Sequence, residues 1–158
     1  KNDLNVERRA AAVFLVGHFS NPNEIISILL PYVKDKDGEV RNNAMLMIAT
    51  TMELAQIHQM ETSFFHDLLE SPYAADRNKA LGILSEAVDS ELSKRKVIQN
   101  EGEKIIDLLQ LQQPNNHNLA YVVLKKISGK DFGEYNIDAW RKWLFEMKKC
   151  SNHCQSKS

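Results

Sequence analysis

The stretch from Arg41 to Thr50, RNNAMLMIAT, decides the fold of this chain. A basic residue is followed three places later by Ala44, and at places six and seven by the large apolar residues Met47 and Ile48. Spacings of three, four and seven return to one side of a helix, so the stretch is predicted to be an amphipathic helix. The same order recurs in RRAAAVFLVG from Arg8, RNKALGILSE from Arg77 and HNLAYVVLKK from His117, with anchors 33, 36 and 40 residues apart. That spacing is the period of two helices and their turns. Position three is always alanine (Ala11, Ala44, Ala80, Ala120), which lets two helices approach closely. Position six is Phe14, Met47, Ile83 and Val123, and position seven is Leu15, Ile48, Leu84 and Leu124.

Between these anchored helices lie their expected partners. Residues 23–34 follow the start signal Ser20-Asn21-Pro22 and stop at Asp35-Lys36-Asp37-Gly38. Residues 62–70 stop before Ser71-Pro72, and residues 93–111 before Gln113-Pro114. A last helix over 137–149 carries Trp140, Trp143, Leu144 and Met147 on one stripe. The expected fold is therefore all-α: about eight helices in antiparallel hairpins, stacked as an α-α superhelix because a lone hairpin cannot bury its apolar face. Residues 1–150 are read as one domain and 151–158 as a flexible tail.

Composition agrees. The chain has 158 residues with only six Gly and four Pro, fewer than a fold of many tight β-turns needs. No apolar run approaches the ~20 residues that span a bilayer. The formal charge is −1, distributed as −1 over residues 1–60, −4 over 61–124 and +4 over 125–158. An acidic middle argues against a nucleic-acid groove, which needs clustered Lys and Arg. The chain opens on Lys1 rather than Met, leaving open a signal peptide or more repeats upstream.

Several short motifs read as structure when set against the chemistry they imitate. Asp131-Phe132-Gly133 lacks the Gly-rich loop, strand lysine and catalytic loop of a kinase, so it is expected to be a turn with Phe132 under the last helix. Asp35-Lys36-Asp37-Gly38 brings its Gly too early for a calcium loop. Ser93 and Lys96 have Ser-x-x-Lys spacing without its companion motifs. His18, His58, His66, His117 and His153 form no pair one turn apart beside a Glu. Cys150, His153 and Cys154 are one ligand short of a closed zinc site. No cofactor or metal is expected, and both cysteines are read as dispensable. Met45, Met47, Met52 and Met60 are read as core filling.

Residues 35–49, DKDGEVRNNAMLMIA, resemble the turn and second helix of a HEAT repeat, and residues 128–144, SGKDFGEYNIDAWRKWL, are similar to the closing segment of bacterial HEAT-like proteins. The resemblance implies a scaffold with the second helices on a concave side. It also implies a ladder of turn acids and early-helix arginines (Asp35, Arg41, Arg77), and a cap made by Phe132, Trp140 and Trp143. The fourth repeat departs by placing His117 where the others place Arg. With positions three, six and seven inward, the outward positions hold Asn42, Asn43, Thr50, Glu53, Asn78, Lys79, Glu86 and Asn118. Position one, Arg9, Asn42, Asn78 and Asn118, reads either as an amide row for an extended peptide backbone or as first-turn asparagines. The expectation is a monomeric, non-catalytic module binding a protein or peptide. The alternative comes from the wider group, which includes bilin-attaching lyases and DNA alkylation-repair glycosylases. Fold does not choose between them.

Overall fold

The computed structural model describes residues 5–155, with side chains through Cys150. The described residues form eight α-helices, three short 3-10 segments and no strand. The helices are α1 (Val6–Val16), α2 (Pro22–Leu29), α3 (Gly38–Ala55), α4 (Ala74–Ala87), α5 (Glu91–Asn100), α6 (Gly102–Leu109), α7 (Pro114–Ser128) and α8 (Ile137–Gln155). The chain is all-α, as the sequence implies.

Local chemistry sets most of the boundaries. Asn5, Asn21 and Asp37 accept hydrogen bonds from first-turn amides of α1, α2 and α3, and Ser90 and Ser93 close a reciprocal capping box on α5. Pro22 and Pro114 stand in the first turns of α2 and α7, where an N–H would have no partner anyway. Gly129 ends α7 at φ 65°, a left-handed conformation that costs glycine nothing.

Helices α1, α3, α4 and α7 form one row, each packed on the next. Helix α2 and the 3-10 segment Leu30–Lys34 pack on α3, α5 and α6 pack on α7, and α8 covers α5 and α6. The core runs through the row: Ala44, Met45 and Ile48, then Ala80, Leu81 and Leu84, then Ala120, Val123 and Leu124, all fully buried. Alanine at the predicted contact position lets these three helices sit close.

Trp140 closes the far end. It is fully buried, stands edge-on to Phe132 at 4.9 Å and to Trp143 at 6.0 Å, and donates from Nε1 to the Gly133 carbonyl at 2.9 Å. A buried indole needs a partner for its N–H, and the turn supplies it.

The structure departs from the sequence reading in four places. In the first repeat the anchor pattern does not hold: the buried arginine is Arg9, one place after the expected Arg8, while the buried Ala10 and Val13 stand one place before the expected Ala11 and Phe14, and Phe14 and Leu15 are exposed at 44% and 67%. Arg9 thus leaves the outward row. Residues 62–70 form two 3-10 segments, Thr62–Phe65 and Asp67–Glu70, in place of an α-helix. Thr62, Phe65 and Leu68 are buried at intervals of three, and three residues per turn line them up. The expected helix over 93–111 is two helices broken at Glu101, and a Cβ on Gly102 would stand 2.6 Å from Leu144 Cδ1. Glycine there lets α8 settle on the break. Finally, α8 runs to Gln155, so the boundary at 150 falls inside a helix. Cys150 is exposed and unbridged, and the side chains of His153 and Cys154 lie outside the described residues.

Candidate functional site

The anchored side chains join the row of helices into a ladder. Arg9 grips the Asp35 carboxylate with Nε at 3.1 Å and Nη2 at 3.0 Å, both residues buried. Arg41 puts Nε and Nη2 on Asp76 Oδ2 at 3.1 and 2.9 Å, where Ser71 Oγ also donates at 2.7 Å. Arg77 donates from Nε to Asn116 Oδ1 at 3.0 Å. The Arg41 and Arg77 rungs each link an early residue of one helix to the first turn of the next, and the Arg9 rung ends in the turn that leads into α3, so neighbouring helices run in the same direction. The side chains also reach back into their own turns: Arg41 Nη1 to the Asp35 carbonyl at 2.9 Å, Arg77 Nη1 to the Ser71 carbonyl at 2.6 Å. Burial would raise the Asp35 carboxyl, but the Arg9 hydrogen bond and the Asp37 amide outweigh it and hold it below the ordinary value.

The sequence reading names Asp35, Arg41 and Arg77 for this ladder. The sequence also offers Asp76 beside the third anchor, whereas the partners Arg9 and Asn116 emerge only in the structure. Asp76 and Asn116 each precede an anchor by one residue, so the order acceptor then basic residue is the signal that finds them.

The outward surface of α3, α4 and α7 carries the expected residues in mixed states. Glu53 and Asn118 are exposed, while Asn42, Asn43, Thr50, Asn78, Lys79 and Glu86 are half-buried. The amides do not form a uniform open row. Asn78 Nδ2 donates to the Asn115 carbonyl at 3.1 Å and stitches α4 to α7, and Asn42 Oδ1 is enclosed. Leu46 and Val122 add apolar area at 39% and 44% exposure.

At the end of this row, beside Asn118, opens a cleft of about 640 Å³. Its polar lining is Gln110 and Gln112 from the turn after α6, His117 and Asn118 from α7, and Glu134 and Tyr135 from the segment before α8. His117 holds the fourth ladder position. Its Nδ1 stands 2.6 Å from the Leu109 carbonyl, its Nε2 3.4 Å from Glu134 Oε2, and its ring is stacked on Tyr135 at 5.3 Å between centroids. Glu134 and Tyr135 escape sequence reasoning, because no motif marks them. The replacement of Arg by His117 is the one legible sign.

A second unusual group lies apart from this cleft. Glu101, at the break between α5 and α6, is buried, and its Oε2 has no partner among the described residues. Oε1 lies 3.6 Å from His66 Nδ1. Burial pushes the carboxyl from 4.5 up to about 7; Lys104 pulls it down and Glu61 adds a smaller push upward.

Among the described residues no group of three His, Cys, Asp or Glu side chains is placed to hold a metal, and no helix is long and apolar enough to cross a membrane. The sequence matches no protein-family model and no curated protein.

Proposed function

We propose that this chain is a non-catalytic scaffold of the HEAT-repeat kind, binding an extended segment of a partner protein along the outward surface of α3, α4 and α7. The observation that carries the reading is the cleft beside Asn118, continuous with that surface and of a size that takes one large side chain. A row of helices in register offers amides, Leu46 and Val122 for the rest of the segment. Mixed polar and apolar lining suits a peptide, whose backbone needs donors and acceptors while its side chains need area. The acidic residues Glu53 and Glu86 on the same surface disfavour a phosphate backbone.

The test is selection of peptides from a random display library on the folded chain. Enriched peptides are then titrated while backbone amide resonances are followed. Shifts confined to α3, α4, α7 and the cleft, with binding weakened about tenfold by Glu53→Lys combined with Asn118→Arg, support the reading. Peptides that bind equally well to the double variant, or salt-dependent binding of duplex DNA in place of peptide, overturn it.

A further inference from the structure

We infer that the cleft at the end of α7 is a recognition pocket for a guanidinium group, an arginine side chain presented by the bound segment; this rests on the scaffold reading above. At three successive positions a guanidinium bridges one helix to an acceptor in the first turn of the next or in the turn leading into it: Arg9 to Asp35, Arg41 to Asp76, Arg77 to Asn116. At the fourth position the acceptor is present as Glu134, but the donor is His117. An imidazole is shorter than a guanidinium, and the cleft opens at that place.

The hydrogen bonds at His117 sharpen the inference. With Nδ1 donating to the Leu109 carbonyl, Nε2 of the neutral ring is an acceptor. It faces the carboxylate oxygen of Glu134, another acceptor, at 3.4 Å. Two acceptors turned on each other call for a donor between or beside them. A proton on Nε2 meets the need in one way, and a ligand with several N–H groups in a plane meets it in another. A guanidinium offers that fork, and its flat face also suits the ring of Tyr135, which is 78% exposed.

The surroundings have the right charge. Among the described residues Glu134 is the only acid lining the cleft, and no Lys or Arg lines it. The C-terminal end of α6, whose Leu109 carbonyl meets His117, lines the cleft, and the end of a helix carries a partial negative charge that favours cations. The start of α7 would repel a cation, but the Asn116 and His117 amides already donate to Gln113.

The experiment titrates the intact chain with N-acetyl-arginine amide, and with N-acetyl-citrulline amide as an uncharged probe of nearly the same shape, following backbone amide resonances. The expected result is saturable shifts at residues 109–118 and 134–137 with the arginine probe. Citrulline is expected to bind at least about tenfold more weakly, and Glu134→Gln to weaken arginine binding by a similar factor. A second variant works in the opposite sense. His117→Arg supplies the missing guanidinium from within, so it should fold, melt at a higher temperature and no longer bind the arginine probe.

Equal binding of citrulline, or arginine binding undiminished in His117→Arg, overturns the pocket. So does the absence of shifts with either probe. If peptides selected on the chain bind α3, α4 and α7 while the arginine probe does not bind, the pocket fails and the scaffold stands. If the arginine probe binds and no peptide is selected, the scaffold fails instead.

Discussion

Replacing Glu101 by glutamine should make the protein more stable at pH 8 and change it far less at pH 5. The carboxyl is buried at the break between α5 and α6, with one oxygen unpartnered, and burial moves it from 4.5 to about 7. The folded protein therefore holds this proton more tightly than the unfolded chain does. Its contribution to stability is complete below pH 4.5 and is lost as pH rises through 7. The whole displacement is worth roughly 3 kcal/mol, of which about 2 kcal/mol falls between pH 5 and pH 8.

Glutamine keeps the shape and cannot ionise, so the variant should lack this loss. Any cost of placing an amide beside His66 enters at both pH values and cancels in the comparison. The assay is urea unfolding of wild type and Glu101→Gln at both pH values. The gap between them should widen in favour of the variant by about 2 kcal/mol from pH 5 to pH 8, or about 1 M in the urea midpoint. Other carboxylates lose stability on acidification, but they are common to both proteins. A gap that stays constant would refute the reasoning. Repeating the comparison in a His66→Gln background removes the imidazole, whose Nδ1 lies 3.6 Å from the carboxylate, and should leave most of the widening in place.

Two further outcomes test the fold. Arg9→Met strands the buried Asp35 carboxylate and should cost about 3 kcal/mol, whereas Arg8→Met should change stability by under ~0.5 kcal/mol; the reverse order in thermal melts would restore the register read from the sequence. Trp140→Ala removes a fully buried indole, three edge-on ring contacts and the hydrogen bond to Gly133, and should cost about 3–5 kcal/mol. An unchanged melting temperature there would mean that α8 does not seal the end of the core.

The helical class and the places of α3, α4 and α7 were legible because each combines an anchor, an alanine and large aliphatics on one helical face. The first repeat misled because RRAAA offers two arginines and three alanines in a row, so neither the arginine nor the alanine that faces inward can be chosen from the pattern. The carboxylate of Asp35, in the turn before α3, decides for Arg9, and nothing in the local pattern does. The break at Glu101 was invisible for a related reason. Residues on both sides have helical spacing, and what interrupts them is Leu144, distant in sequence, seated against Gly102. The cleft was hidden because its charged member, Glu134, and its aromatic wall, Tyr135, lie in a segment without periodicity, brought to His117 by the docking of α8.

The rungs of the ladder all share one polarity: the donor stands on the earlier helix and the acceptor on the later one. An interface of this sort cannot pair with itself, since two donor edges or two acceptor edges brought together would repel. Asp76 and Asn116 hold the same place, one residue before an anchor, so those two acceptor edges are alike in position. Excising Arg41 through Asp76 would join Val40 to Arg77 and leave Asp35 facing Arg9 and Asn116 facing Arg77. The direction in which these helices follow one another is thus set by the chemistry of a single kind of contact.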